Sequence, residues 1–337
     1  MAKSGAVKET DSYRQIMKAT SIFGGVQIFN IIISIIRSKV IAVLLGPAGM
    51  GIAGLLTATT GLISSLTNFG LGISAVKDIA TANENKNELQ LAKVVVVIQR
   101  LVWFTGLLGA VITFVFASWL SELSFGNKEY SIAFMWLSFT LLFNQLTSGQ
   151  YVLLQGMRKL KFLARANMMG SALGLLVSVP LYYYLRIDGI VPAIILTALF
   201  TLGVNSYYSN KLKIQKVSVS FKETRAHGKG MMVMGFMLSL SGILVVASLY
   251  FIRIFISNTG GIEDVGLFNA GFAIINTYVG LVFTAMATDY YPRLSGVAKD
   301  NKKAALMINQ QADIAILILA PVLVVFLIFI VKFYNLY

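Results

Sequence analysis

Residues 36–56 of the chain read IRSKVIAVLLGPAGMGIAGLL, an apolar run that contains Arg37 and Lys39 and is then interrupted by the turn residues Gly-Pro-Ala-Gly-Met-Gly. Apolar runs of about 20 residues recur along the chain, and a helix of that length crosses about 30 Å of hydrocarbon. Since a spanning segment must satisfy its own backbone hydrogen bonds, and since these runs are longer than the strands of membrane barrels, they predict helices. The sequence therefore predicts an all-α polytopic membrane protein.

The composition agrees with this fold class and excludes several kinds of chemistry. Of the 337 residues, 57% are hydrophobic and 12% are charged, which is about half the charged fraction of a typical soluble domain. The chain has no cysteine and one histidine, His227, in a lysine-rich loop, which leaves no thiolate metal site and no histidine site inside the membrane. Nucleotide-binding and metalloprotease motifs do not occur in the sequence. We expect a protein that is not an enzyme, with no catalytic residue, metal or cofactor.

The loops predict the topology. We expect nine spans, at residues 19–45, 51–75, 94–120, 131–155, 167–186, 189–209, 230–256, 265–291 and 305–332. With the N-terminus in the cytoplasm, 22 of the 28 Lys and Arg residues fall in cytoplasmic segments, in agreement with the positive-inside rule. Because the formal charge of +14 is divided among membrane-edge loops, it indicates contact with anionic lipid and not with nucleic acid.

An internal repeat predicts two lobes. The segment Gly51-Ile52-Ala53 aligns with Gly266-Leu267-Phe268 at an offset of 215 residues, and in both copies a cationic helix leads through a glycine-rich turn into the next helix. We therefore expect two pseudo-equivalent lobes around a central cavity. They are an N-terminal lobe of six helices at 1–210 and a C-terminal lobe with helices seven to nine at 230–337, joined by a basic cytoplasmic linker at 211–229. About three further helices would complete the second lobe, so we expect truncation at Tyr337, with a natural nine-helix variant as the alternative.

A polar stripe on the first helix predicts a binding surface. Its residues are separated by three or four positions and so share one face: Gln27, Asn30, Ser34 and Arg37. An arginine near the bilayer centre costs at least about 2.5–3.5 kcal/mol, and Arg37 lies roughly 14 Å below the outer turn. These facts favour a water-filled cavity in which Arg37 binds an anionic substrate, although packing between helices is the alternative for any one stripe.

Two further cations and two acids complete the predicted site. Lys39 and Arg253 are candidate auxiliary cations for the substrate, with snorkelling to the outer surface as the alternative. Asp289 lies at the end of the predicted eighth helix. Asp313 lies at the start of the ninth, at the position that corresponds in the internal repeat to Arg100 of the third helix. We predict that Asp313, Asp289 and Arg100 couple transport to an ion or close a cytoplasmic gate, the alternative being solvated carboxylates at the membrane edge.

Two motifs carry a family resemblance. The stretch LLGPAGMGIAGL at 44–55 and the stretch VGLFNAGFAIINTYVGLVFTAMATDYYPRLS at 265–295, with an arginine deep in the first helix, resemble O-antigen and polysaccharide flippases. These belong to the multidrug/oligosaccharidyl-lipid/polysaccharide exporter superfamily. The resemblance implies two six-helix lobes in a V around a cationic cavity. In that comparison Arg37 matches the cavity arginine of the first helix, and Arg253 is a weaker match in the seventh.

The resemblance also implies a function. Such proteins move undecaprenyl-pyrophosphate-linked oligosaccharide from the cytoplasmic to the periplasmic leaflet of the bacterial inner membrane by alternating access, during O-antigen or lipopolysaccharide synthesis. A polysaccharide polymerase and a chain-length regulator are the implied protein partners. The chemistry of the residues agrees, because a pyrophosphate needs cations and sugars need hydroxyl and amide groups.

Three other functions stay open from the sequence. A multidrug exporter of the same superfamily would need an acidic cavity for organic cations. An integral-membrane glycan polymerase or acyltransferase is disfavoured because every predicted outer loop has about ten residues or fewer. A non-transporting fragment or scaffold is the third alternative.

Overall fold

The computed structural model describes residues 3–85, 87–212, 214–215, 217–273 and 300–334, with side chains from residue 25 to residue 324 of these ranges apart from 318 and 322. No strand occurs among the described residues. The helices are α1 (Lys3–Thr67), α2 (Leu71–Glu84), α3 (Glu88–Val115), α4 (Ala117–Phe125), α5 (Ser131–Gly156), α6 (Leu160–Leu185), α7 (Ile190–Ser209), α8 (Phe221–Thr259), α9 (262–273, as far as it is described) and α10 (Asn301–Tyr334). One turn of 3₁₀ helix, Arg186–Gly189, joins α6 to α7.

The helices confirm the predicted all-α polytopic membrane fold. Five described segments are long and apolar enough to cross a membrane: Gly25–Thr67, Glu88–Val115, Leu160–Ser209, Phe221–Thr259 and Asn301–Pro321. The predicted fourth and sixth spans agree with α5 and α7 to within one residue. The predicted eighth span begins in α9, and most of it lies outside the described residues.

Local backbone chemistry explains the break in α1. Gly46 has φ of 65° and is followed by Pro47 inside the helix. A positive φ favours glycine, and proline removes a helical hydrogen bond. The interruption therefore falls at the glycine-rich turn that separates the first two predicted spans.

The predicted second span, 51–75, is not continuous. The helix ends at Thr67, and α2 begins at Leu71 after a turn in which Gly70 has φ of 61°. The side-chain oxygen of Asn68 accepts a hydrogen bond from the Gly70 N–H at 2.7 Å. The turn is also a close tertiary contact, because a Cβ at Gly70 would strike the backbone carbonyl of Gly235 in α8. The turn is where the two backbones meet.

The predicted third span and the predicted linker also have different bounds. The side chain of Asn87 caps α3 by accepting the Gln90 N–H at 3.0 Å, so the helix begins well before residue 94. Ser220 and Glu223 form a reciprocal capping box at the start of α8. Residues 221–229 are consequently helical, and only the preceding part of the predicted linker 211–229 connects α7 to α8.

Contacts divide the chain into two compact units, residues 1–267 and 268–337. In the first unit the largest apolar cluster is centred on fully buried side chains of α1, α5 and α7, namely Leu55, Leu56, Phe134, Leu137 and Ile190. A buried chain of hydroxyls joins Thr59, Ser124 and Tyr250, with both oxygen separations at 3.0 Å. Helix α8 is thereby tied to α1 and α4, and it belongs to the first unit.

The two glycine turns that align in the sequence lie against each other within the first unit. A Cβ at Gly51 would strike the backbone of Ile262, and a Cβ at Gly266 would strike the carbonyl of Pro47. Each turn therefore requires glycine for the same reason, a close backbone approach by the other. The predicted six-plus-three lobe organisation itself stays a prediction.

Candidate functional site

The first helix presents two residues of its predicted stripe to α6. The Ser171 hydroxyl donates a hydrogen bond to Oδ1 of Asn30 at 2.8 Å. Two turns further along α1, the guanidinium of Arg37 reaches Gly174 of α6, so that a Cβ at Gly174 would lie 2.9 Å from Nη2 of Arg37. We call this group of residues, with Thr197 of α7, the polar seam: Asn30, Arg37, Ser171, Gly174 and Thr197.

Gly174 makes room for the arginine. The same Cβ position lies 2.7 Å from Cγ2 of Thr197, and the Thr197 hydroxyl hydrogen-bonds to the Gly174 carbonyl at 3.4 Å. Any side chain at position 174 would therefore meet α7 on one side and the guanidinium on the other. The GSALG sequence at 170–174 predicts close helix packing, but not that Arg37 occupies part of the space.

Arg37 keeps hydrogen-bonding capacity in this position. Its side chain is partly buried, and its Nε is buried without a hydrogen-bond partner among the described residues. Arg37 is also absent from the ion pairs among the described residues. A buried polar group is normally satisfied, so the unpartnered Nε of Arg37 could bind an acceptor if the helices of the seam separate enough to admit one.

The remaining members of the predicted stripe point elsewhere. Gln27 and Ser34 are exposed, whereas Asn30 and Arg37 are partly buried. At 100° per residue, Asn30 and Arg37 lie about 20° apart on the helix and about 40° to 80° from the other two. The stripe therefore splits into an edge that packs against α6 and an exposed edge. Lys39 is exposed and does not join the seam.

Two other predicted site residues have defined hydrogen bonds. Arg100 of α3 donates from Nη1 to the Val219 carbonyl at 2.9 Å and to the Thr224 hydroxyl at 2.7 Å, which ties α3 to the start of α8. Arg253 is partly buried in α8 and donates to the Leu249 carbonyl of its own helix at 3.1 Å. The Arg100 contacts hold the start of α8 against α3, and the predicted gate and substrate roles of the two arginines stay predictions.

Of the two predicted acids, the structure describes Asp313 but not Asp289. Asp313 is exposed on α10 in the second unit. Asp289 lies outside the described residues. Their predicted roles in ion coupling or gating stay predictions. Sequence reasoning missed Ser171 and Thr197, whose small hydroxyl side chains are also frequent where helices simply pack.

Comparison with known proteins identifies the family. Residues 16–297 match the family of polysaccharide biosynthesis proteins, and the chain belongs to this family. Over 294 residues the chain is 24% identical to a protein of Shigella flexneri named "Putative O-antigen transporter", an alignment that covers 85% of this chain and 68% of that protein. The resemblance drawn from the two motifs is confirmed at the level of the family.

A solved structure identifies the fold. The chain is similar to a multidrug resistance MATE family transporter of the MOP superfamily in an inward-facing conformation, with a TM-score of 0.66 and 16% identity. The similarity covers 85% of this chain and 68% of that one. At this identity the likeness concerns the fold alone. The protein is thus a multi-pass α-helical membrane protein of the polysaccharide biosynthesis family with a MATE-like fold.

Proposed function

We propose that this protein is a flippase for lipid-linked oligosaccharide. In this proposal it moves an undecaprenyl-pyrophosphate-linked O-antigen or similar unit from the cytoplasmic to the periplasmic leaflet of the bacterial inner membrane by alternating access, with its N-terminus in the cytoplasm. Membership of the polysaccharide biosynthesis family and the Shigella flexneri relative support the substrate class. The distribution of basic residues among the loops supports the orientation.

The observation that carries the proposal is the state of Arg37. A cation held partly buried in an apolar bundle, with a free N–H and no carboxylate partner in the described part of the chain, is costly unless an anion or water compensates it. A pyrophosphate supplies such an anion, and the planar guanidinium matches its oxygens better than an ammonium does. The hydroxyls of Ser171 and Thr197 and the amide of Asn30 are suited to sugar hydroxyls.

The two runner-up functions fit these features less well. A multidrug exporter for organic cations would be disfavoured by the positive charge of Arg37 in the seam. A glycan polymerase or acyltransferase usually carries its chemistry on a sizeable outer domain. The described connections that we assign to the outer side, 126–130 and 186–189, are short. We therefore propose a transporter without enzymatic activity, for which a polysaccharide polymerase and a chain-length regulator are proposed partners.

The test is glycan export in cells that lack their own flippase. We expect Arg37→Ala to lower delivery of the lipid-linked unit to the periplasm at least about tenfold, because it removes charge-assisted hydrogen bonds to the pyrophosphate. Arg37→Lys should retain part of the activity, since it keeps the charge but not the fork of donors. The exposed Arg165→Ala at the start of α6 is the matched control. Export by Arg37→Ala equal to that of Arg165→Ala, at equal membrane levels, would refute the proposal.

A further inference from the structure

A groove of about 830 Å³ runs between α3 and α8 within the first unit. We call it the α3–α8 groove and define it by Leu101 and Phe104 of α3 and by Arg225, Lys229, Met232 and Phe236 of α8. Its volume is in the range of about 300–1,000 Å³ that small-molecule sites occupy. No residue of the groove is part of the polar seam, so a ligand there would be distinct from one at Arg37.

Glycines of α8 set the shape of the groove. A Cβ at Gly228 would lie 3.0 Å from Cδ2 of Leu101, so the helix lies close to α3 at this point. Two turns further on, a Cβ at Gly235 would strike the backbone carbonyl of Phe69. The groove lies beside these two close contacts, and its walls are held by backbone geometry as well as by side chains.

The groove changes from charged to apolar along α8. Arg225 and Lys229 are one turn apart and exposed, and Met232 and Phe236 follow at intervals of three and four residues on the same face. The predicted seventh span begins at residue 230. Both cations therefore lie at the expected membrane boundary, and the apolar residues lie inside the expected hydrocarbon layer.

The two cations are not neutralised within the described residues. The described residues that line the groove include no carboxylate, and the described ion pairs include neither Arg225 nor Lys229. The neighbouring acid on the same helix, Glu223, pairs with Lys93 at 3.7 Å instead. Arg100 also lines the groove and adds positive charge, although its Nη1 is engaged with Val219 and Thr224.

We propose that the α3–α8 groove is a binding site for an anionic phospholipid of the surrounding bilayer. Arg225 and Lys229 bind the phosphate, and an acyl chain lies along Leu101, Phe104, Met232 and Phe236. A lipid with a negative headgroup compensates the charges and covers the apolar wall at the same time. An apolar helix of a protein partner would cover the wall but would leave the cations unpaired.

The test is lipid retention by the full purified chain, measured by native mass spectrometry with phosphatidylglycerol and with zwitterionic phosphatidylcholine. We expect phosphatidylglycerol to be retained preferentially, and the double variant Arg225→Gln/Lys229→Gln to lose it about tenfold. The matched control is Lys161→Gln/Arg165→Gln. It removes the same charges at the same four-residue spacing from exposed positions of α6 and should retain the lipid.

A second pair of variants tests the apolar wall without changing charge. Val233 lines the groove and is 48% exposed, whereas Val245 of the same helix is 60% exposed and is not part of the lining. Val233→Trp should fill the groove and lower phosphatidylglycerol retention, and Val245→Trp should not. Equal retention by each variant and its control would overturn the site. Preferential retention of undecaprenyl pyrophosphate over phosphatidylglycerol would overturn its assignment to phospholipid.

Discussion

The polar seam and the α3–α8 groove both bring cations to a contact between helices, but they differ in how much water reaches the charge. Arg37 is partly buried and has a buried Nε without a hydrogen-bond partner among the described residues, whereas Arg225 and Lys229 are exposed. A cation removed from water gains strongly from an anion that enters. An exposed cation is already hydrated and binds weakly and in a salt-dependent way. The two proposals thus give a selective anion site in the seam and a salt-sensitive lipid site in the groove.

The two places also differ in what their glycines touch. Gly174 of the seam faces the ends of two side chains, those of Arg37 and Thr197, while Gly235 beside the groove faces the backbone of the Phe69–Gly70 turn. The end of a side chain can move at little cost, but a backbone within a packed turn cannot. We therefore expect the seam to tolerate an added methyl group better than the α8 contact does.

The largest expected effect is that of Gly235→Ala. The added methyl would overlap the Phe69 carbonyl, and overpacking of this kind costs about 1–3 kcal/mol or more. We expect the unfolding temperature in detergent to fall by several degrees and phosphatidylglycerol retention to fall with it. Gly242→Ala on the same helix, where nothing lies within 4 Å of the new methyl, should be neutral or slightly stabilising. Equal unfolding temperatures of the two variants would contradict the backbone contact.

A smaller effect is expected for Gly174→Ala. The methyl would come within 3.0 Å of both Arg37 and Thr197, and these side-chain ends must move to make room. We expect a loss of stability below that of Gly235→Ala, together with reduced glycan export. The control is Gly203→Ala in α7, which has open space around the new methyl. Thermal unfolding and export are measured in parallel. If Gly174→Ala lowers stability but leaves export at the control level, the arginine position does not matter for transport.

The smallest effect concerns the acid that lies against the start of α8. Asp78 of α2 shares a small cavity with His227 and Glu223 of α8. Burial raises the pKa of the Asp78 carboxyl above its ordinary value of 3.8, and the charges of Lys77 and His227 act in the opposite direction. The folded protein thus holds this proton more tightly than the unfolded chain does. The contribution of the Asp78 carboxyl to the free energy of unfolding must therefore grow as pH falls from the raised pKa toward 3.8.

The measurement for Asp78 is the unfolding temperature of the wild type and of Asp78→Asn between pH 7 and about pH 4. We expect the wild type to gain stability relative to the variant as the pH is lowered. Asp188→Asn, at an exposed position in the turn before α7, controls for the loss of a carboxylate. Parallel curves for the wild type and Asp78→Asn would show that burial at the α2–α8 contact does not affect this group.

Much of the fold could be predicted because the length of an apolar run is a local property. The spans at α5 and α7 agree with the structure to within a residue, and the break at Gly46 was expected from its glycine-proline turn. The predicted second span was wrong in its continuity, and the turn at Gly70 that interrupts it lies against Gly235, more than 160 residues away in the chain. The Asn68 hydrogen bond and the positive φ of Gly70 are local features of the turn, but its contact with Gly235 is not.

The candidate site, like the fold, could be predicted from the sequence only in part. The interval between Asn30 and Arg37 is enough to place both on one face of a helix, and hydrocarbon makes a lipid-facing arginine costly. The sequence is therefore sufficient to show that Arg37 needs a polar environment. Which polar groups surround Arg37 depends on how the helices pack in the folded protein. The seam with Ser171 and Gly174, and the groove between α3 and α8, arise where distant helices meet, and helical periodicity describes the faces of a helix but not the neighbours that those faces contact.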